Sequence, residues 1–347
     1  MDKILITGAN GFVGSHLIDY LMKMNYDLYA IDRPDASFKN LTKYTGEKVA
    51  FSNKDKKKAY GKKVLIPSSV PNLTFLECDL QDRTLLEKII SDIKPKFLFH
   101  FGAQPYILPS LEDPVYTFEI NVIGTLNIFE PIKKNRLKTR VIQACSAAEY
   151  GTTTKIGRPL KEVDPLNAVH PYGISKVASE LLARQYFLNF GMEIINLRFF
   201  NLTGLRRTND AASDFIKKIV LIDLGLADPL IEVGNLNPYR DYLDIQDAIK
   251  AIWLAAKRGI PGETYNICSN QKLQIRTLLD IALGFSSKQI EVIENVSEKI
   301  RPTDEDVIIG DNSKIQSELG WKPTRSIHDT LKAMYEYWQK YYSENPI

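Results

Sequence analysis

The chain has 347 residues, 44% hydrophobic and 25% charged, enough to bury one large core or two joined ones. Its 45 Lys and Arg against 42 Asp and Glu leave a net charge of +3, which gives no electrostatic case for nucleic acid or a membrane surface. Cys78, Cys145 and Cys268 are too scattered for a disulfide framework or a zinc site, no secretory leader opens the chain, and no apolar run reaches the ~20 residues of a membrane span, so a cytoplasmic protein without a metal is expected.

Apolar runs at Ile4–Thr7, Leu28–Ile31, Leu73–Cys78, Phe97–Phe101, Val141–Ala144 and Ile194–Phe199 read as strands. Helical patterns at about 14–24, 82–92, 115–134 and 172–190 lie between them. That alternation predicts an α/β fold, a Rossmann-like doubly wound parallel sheet with helices on both faces. Its ligand crevice lies at the carboxyl ends of the strands. After residue 200 the alternation weakens, with strands at 230–233 and 264–267 and helices near 211–225, 245–258, 276–284 and 326–342. The expected division is a cofactor domain at 1–200 plus about 236–268, and a smaller, partly discontinuous α/β substrate lobe at 201–235 plus 269–347.

Taken in chain order, the first strand runs into Gly8, Gly11 and Gly14 at the start of a helix, with Asn10, Phe12 and Val13 between them. Without side chains the turn is tight, and the helix amino end offers N–H groups to a pyrophosphate. Asp32 ends the second strand, where a carboxylate can accept from a ribose diol and repel a 2′-phosphate, which favours NAD; Arg33 beside it would instead welcome NADP. Residues 33–72 form a long lysine-rich link, read as a solvated hairpin or mobile loop, or else as a lid or a partner surface near the adenosine end of the cofactor. Asp79, followed by Leu80, suits the exocyclic amine of adenine or else caps the helix before Arg83. Phe101, Gly102 and Ala103 form a small-residue strand end where a cofactor can pass close to the backbone. His100 reads as a core histidine.

Ser146 closes the next strand, and Tyr172 and Lys176 are four apart on a helix. At that spacing the ammonium can sit beneath the phenol and lower its pKa, making a proton donor and acceptor for a carbonyl/alcohol pair. Ser146 is placed to bond the same substrate oxygen, while Glu149 is either catalytic or a surface acid. Arg198, Arg206, Arg207, Arg240 and Arg301 lie in or beside the second lobe, where two or three of them can fork onto a diphosphate, and Asn201 is a neutral donor for the same group.

These residues resemble the extended short-chain dehydrogenase/reductase family over nearly the whole chain. The resemblance rests on Thr7-Gly8-x-x-Gly11-x-x-Gly14, Asp79-Leu80, Asn121 in Asn-Val-Ile-Gly-Thr, Ser146, Tyr172-x-x-x-Lys176, Arg198-x-x-Asn201 and Arg240-Asp-Tyr-Leu-Asp244. It implies an NAD(P)-dependent enzyme acting on a nucleotide-diphosphate sugar, with Asn121, Gln104 and Phe199 also lining the cofactor. Gln104, Ser146, Asn201, Arg207, Arg240 and Arg301 would meet the substrate. It implies too a homodimer formed through a four-helix bundle. Glu149-Tyr-Gly, the segment Val233 to Asp241, and the segment from Arg301 to Pro323 are most similar to GDP-4-keto-6-deoxy-D-mannose reductases and GDP-mannose dehydratases. Sugar 4,6-dehydratases place an acid or hydroxyl and then a glutamate after the serine, whereas Ala147 and Ala148 stand here. Glu149 is one residue late, and on a strand-like backbone it faces away, unless an irregular backbone turns it inward. The first expectation is therefore a GDP-4-keto-6-deoxy-sugar reductase. A 4,6-dehydratase or 4-epimerase that retains its nicotinamide, and a non-catalytic nucleotide-sugar binder, are the alternatives.

Overall fold

The computed structural model describes residues 1–34, 36, 38–45, 64–66, 69–299 and 306–345. Strands β1 (Asp2–Thr7), β2 (Tyr26–Asp32), β3 (Val64–Ile66), β4 (Leu73–Glu77), β5 (Phe97–His100), β6 (Arg140–Ser146) and β7 (Ile194–Phe199) join Thr264–Ile267 in one sheet. The order is (Thr264–Ile267)-β7-β6-β5-β1-β2-β4-β3. Seven strands are parallel, and β3 is an antiparallel edge that sequence patterning did not foresee. Ile4, Leu5 and Ile6 are all fully buried, as expected of a strand covered on both faces. The chain builds outward from β1 through β2 to β4, then returns to β5 on the other side. The order thus reverses between β1 and β5, and the crevice at their carboxyl ends is the predicted ligand position.

The chain forms two compact units, one of residues 1–151, 166–198 and 251–265, the other of 152–165, 199–250 and 266–347. This differs from the sequence-based division at 152–165 and 236–250, and by a few residues at 199–200 and 266–268. The reason lies in short pairings within the second unit. Tyr239–Arg240 pairs with Leu273–Gln274 and Val307–Ile308, Tyr242–Asp244 pairs with Asn201–Thr203, and Leu160 bridges Gly310. Strands of two or three residues carry no readable periodicity. The rest of that unit is a helical core, in which Ala211–Asp223, Ile275–Leu283 and Ile327–Glu344 enclose Ile216, Ile219, Leu278, Leu331 and Met334. Among the described residues no helix is long and apolar enough to cross a membrane. Most of the lysine-rich link lies outside the described residues.

Candidate active site

At the end of β1, Gly8 adopts a left-handed backbone (φ 66°), and a Cβ there would stand 2.7 Å from the Gly102 nitrogen beyond β5. Thr7 Oγ1 accepts from the Gly102 N–H at 3.2 Å, so the two strand ends meet backbone to backbone. The helix Phe12–Leu21 begins at Gly11 with no side-chain cap. A helix amino end directly behind a glycine turn is the arrangement that cradles a pyrophosphate. Asn10 lies in this turn, its N–H donating to Asp32 Oδ2 at 2.8 Å and its own carbonyls accepting from Asn40. Asp32 Oδ1 accepts from the Arg33 N–H at 2.9 Å. Both carboxylate oxygens thus take a backbone bond at the end of β2, which fixes the group where a ribose diol would lie. Phe12, Val13, Phe101 and Ala103 are half-buried around the turn, and Leu80 is buried. Asp79 is not the cap of the following helix: its Oδ1 holds the Gln81 N–H, and Asp82 caps Arg83–Ile93 through the Leu85 N–H. These residues fit an NAD(P) cofactor.

The catalytic candidates stand on β6 and on the helix Pro171–Phe190. That helix starts where it does because His170 Nδ1 accepts from the Gly173 N–H at 3.0 Å and Pro171 takes the first helical position. The His170 ring stacks on Tyr172, centroids 6.0 Å apart and 9° from parallel. One turn on, the buried Lys176 ammonium donates to the Ala144 carbonyl on β6 at 2.9 Å. Burial lowers its pKa. Asn121 lies in a π-helical turn, Glu119–Ile123, which interrupts the helix expected over 115–134. Its Oδ1 accepts from Gln104 N–H, and its Nδ2 donates to the Gln104 carbonyl and to Ser175 Oγ. The Gln104 side chain is itself engaged inside this unit, donating to Tyr106 O and Thr117 Oγ1 and accepting from the Tyr106 N–H. Phe199 ends β7, half-buried.

Two sequence-based expectations change here. Ser146 closes β6 as expected, but the backbone beyond it is not strand-like: Ser146 caps a 3₁₀ turn, Ala147–Glu149. Ser146 Oγ accepts from the Ala148 N–H at 3.2 Å, and Glu149 Oε1 accepts from the Ser146 N–H at 2.7 Å. Glu149 is neither on a strand nor a surface acid: its exposure is 0%. Arg198, grouped with the diphosphate forks, is buried, bonding Glu180 through Nε (2.9 Å) and Nη2 (2.5 Å) and the Tyr150 hydroxyl through Nη1 (2.8 Å). Glu180, Tyr150 and Ser175 were not singled out from the sequence, although Glu180 lies one turn beyond Lys176 on the same helix face. His100 is a core histidine bonded to Thr7 and Thr125, its pKa pushed down to about 3 by burial and then by the Lys176 charge.

Within the second unit, Asn201 Nδ2 donates to the Asp241 carbonyl at 3.4 Å. Arg207 pairs with Asp210 at 3.2 Å, and the buried Arg240 donates to its neighbour's carbonyl, Tyr239 O, at 2.9 Å. Arg301 lies outside the described residues. Asp241, not foreseen, organises this region: its carboxylate accepts from the Ser269 N–H and hydroxyl, the Asn270 N–H and the Gly310 N–H. Burial pushes its pKa up to about 6 against the pull of these donors.

A family model described as GDP-mannose 4,6 dehydratase matches residues 5–334. The chain is 25% identical to a GDP-6-deoxy-D-mannose reductase of Pseudomonas aeruginosa over 97% of each chain. It is 27% identical to a GDP-mannose 4,6-dehydratase of Yersinia enterocolitica over 96% of this chain and 93% of that one. A solved structure of RMD from Pseudomonas aeruginosa complexed with NADPH shares the fold, with a TM-score of 0.79 at 24% identity, covering 98% of this chain and 100% of that one. The chain belongs to the GDP-mannose 4,6-dehydratase family, a group of NAD(P)-dependent nucleotide-sugar reductases, dehydratases and epimerases of the short-chain dehydrogenase/reductase type.

Proposed function

We propose that this protein reduces the 4-keto group of a sugar carried on a nucleoside diphosphate, GDP first, with NADH preferred over NADPH. The observation that carries this reading is the Ser146–Glu149 turn. Ser146, Tyr172 and Lys176 supply what ketone reduction needs, whereas Ala147 and Ala148 offer no base, and Glu149 is wholly buried with Oε1 on the Ser146 amide. When bound, the nicotinamide supplies the hydride. Tyr172 gives its phenolic proton to the ketone oxygen, Ser146 donates a hydrogen bond to that oxygen, and the Lys176 ammonium stabilises the resulting phenolate. Asn201, Arg207, Arg240 and Arg301 hold the diphosphate. GDP is favoured because both named relatives act on GDP-linked sugars. Three free, buried cysteines suit a reducing cytoplasm.

The test is to incubate purified protein with GDP-, UDP- and dTDP-sugars, including 4-keto-6-deoxy forms, with and without NADH or NADPH, and to weigh the products. Gain of two hydrogens on a GDP-4-keto sugar supports the reading. Loss of water from GDP-mannose would make the protein a dehydratase, an isomer of unchanged mass an epimerase, and binding without turnover a carrier.

The same reading includes a homodimer. Leu108, Leu111, Val115, Leu181 and Leu188 are all exposed on the helical segments 107–118 and 171–190, an apolar surface that a second copy would cover. Light scattering should give twice the 39.5 kDa chain mass, and a monomer-sized particle at micromolar concentration removes this expectation.

A further inference from the structure

Behind Ser146 lies an enclosed ionic cluster that the proposed proton transfer does not use. Glu149 is 0% exposed, Arg198 3% and Glu180 8%. Arg198 commits two of its nitrogens to Glu180 and a third to Tyr150. Its Nε is 3.7 Å from Glu149 Oε2, beyond hydrogen-bond length. Glu149 Oε2 is accordingly a buried oxygen that an ionised Glu149 would leave without a hydrogen-bond partner. Yet a Glu149 oxygen, a Glu180 oxygen and Cys145 Sγ all lie within 4.8 Å of one another. One guanidinium therefore faces two carboxyl groups and is taken by one of them. Two ionised carboxylates buried within 4.8 Å of one another repel strongly, and a single proton between them turns the repulsion into a hydrogen bond.

We propose that Glu149 is a positioning residue, held as a neutral carboxylic acid whose Oε2–H donates to Glu180 while Oε1 accepts from the Ser146 amide. The proton gives the orphaned oxygen its partner and completes a chain from Ser146 through Glu149 and Glu180 to Arg198. That chain locks the Ser146 turn against the helix that carries Tyr172 and Lys176, since Glu180 is on this same helix. Electrostatics agree in direction. Burial and then the Glu180 charge raise the Glu149 pKa, while Arg198 holds Glu180 below its usual range. Of the other titratable groups facing the cluster, burial raises the Cys145 thiol, which stays protonated, and lowers Lys176. The inference deepens the reductase reading and rests on it for Ser146, but the protonation state of Glu149 is independent of which sugar is the substrate.

The experiment compares wild type, Glu149→Ala and Glu149→Gln as full-length protein with cofactor. Removing the side chain strips the Ser146 amide of its acceptor, so Glu149→Ala should lower kcat by about ten- to a hundredfold with the cofactor dissociation constant little changed, the scale of effect expected from a slightly misplaced catalytic group. Gln keeps an acceptor for Ser146 and an N–H donor for Glu180, so Glu149→Gln should restore most of the loss and leave the pH profile of kcat unaltered. Infrared difference spectra at neutral pH should show a protonated-carboxyl stretch in wild type that is lost in Glu149→Gln. Three results would overturn the proposal: a Gln variant as impaired as Ala though folded and cofactor-bound, an Ala variant with wild-type kcat, or no protonated carboxyl in the infrared. If the substrate assignment fails, the infrared comparison still decides the protonation state.

Discussion

Gly14→Ala isolates the contribution of the first glycine turn. A Cβ at Gly14 would stand 2.3 Å from the Gly8 carbonyl oxygen and 2.9 and 3.0 Å from atoms of Ala9, all backbone. Ordinary contact begins at 3.4 Å, so the helix Phe12–Leu21 must back away from the turn by about 1 Å. The helix cannot do so freely, because Leu17, Ile18 and Leu21 are fully buried beneath it. Overpacking of this kind costs about 1–3 kcal/mol. Part of that strain appears as displacement of the amino-terminal N–H groups from the pyrophosphate, so NADH should bind at least about tenfold more weakly, about 1.4 kcal/mol. Gly11→Ala is the graded control: its nearest contact is the same Gly8 oxygen at 3.0 Å, and a smaller loss is expected. Fluorescence titration of NADH, paired with thermal melts, reads both effects. Wild-type affinity in Gly14→Ala, or a larger loss in Gly11→Ala, would refute the assignment of this turn to the cofactor.

Tyr172→Phe should keep cofactor binding and lose about 10²–10⁴-fold in turnover, since only the phenolic proton is removed; a near wild-type rate in product assays would exclude the acid–base role. Asp32→Ala should narrow or reverse the preference for NADH, measured by titrating both cofactors, and tighter NADPH binding by the wild type would show that Arg33 prevails over Asp32. His100 sets a pH dependence. Its folded pKa of about 3 lies below its usual 6.5, so its neutral form is stabilising above pH 6.5 and that stability is lost as pH falls towards 3. The loss is about 2 kcal/mol between pH 6.5 and 5, and urea midpoints in His100→Asn should fall less steeply over that interval; parallel profiles would refute it.

What was legible in the sequence was local. Gly8, Gly11 and Gly14 follow an apolar strand directly, and Tyr172 and Lys176 are one helical turn apart, so spacing alone put them together. The helix Pro171–Phe190 shows where that logic stops. Its buried positions are Gly173, Ser175, Lys176, Ser179, Glu180, Ala183 and Tyr186, while Ile174, Leu181 and Leu188 are exposed. An inward face that holds an ionic network inverts the usual apolar stripe, and patterning then points the helix the wrong way round. The Ser146–Glu149 turn was missed for another reason. Ser-x-x-Glu is a capping box, a signature readable in four residues, but it directly follows an apolar run that invites continuation as a strand. The role of Asp241 was not readable even though it lies in the Arg240–Asp244 motif, since its donors Ser269, Asn270 and Gly310 come from segments remote in sequence.

The first unit is assembled from three separate stretches of chain, and this bears on how the protein is made. Its sheet ends on the strand Thr264–Ile267, which flanks β7. As the chain leaves the ribosome, β7 therefore remains an open edge until that strand has been synthesised, which at about 5–20 residues per second leaves several seconds of exposure after residue 199. An unpaired parallel strand is a template for pairing with other nascent chains. Products of premature termination between residues 199 and 264 would carry a finished glycine turn and the helix Pro171–Phe190 beside an unfinished sheet, and would be candidates for chaperone capture.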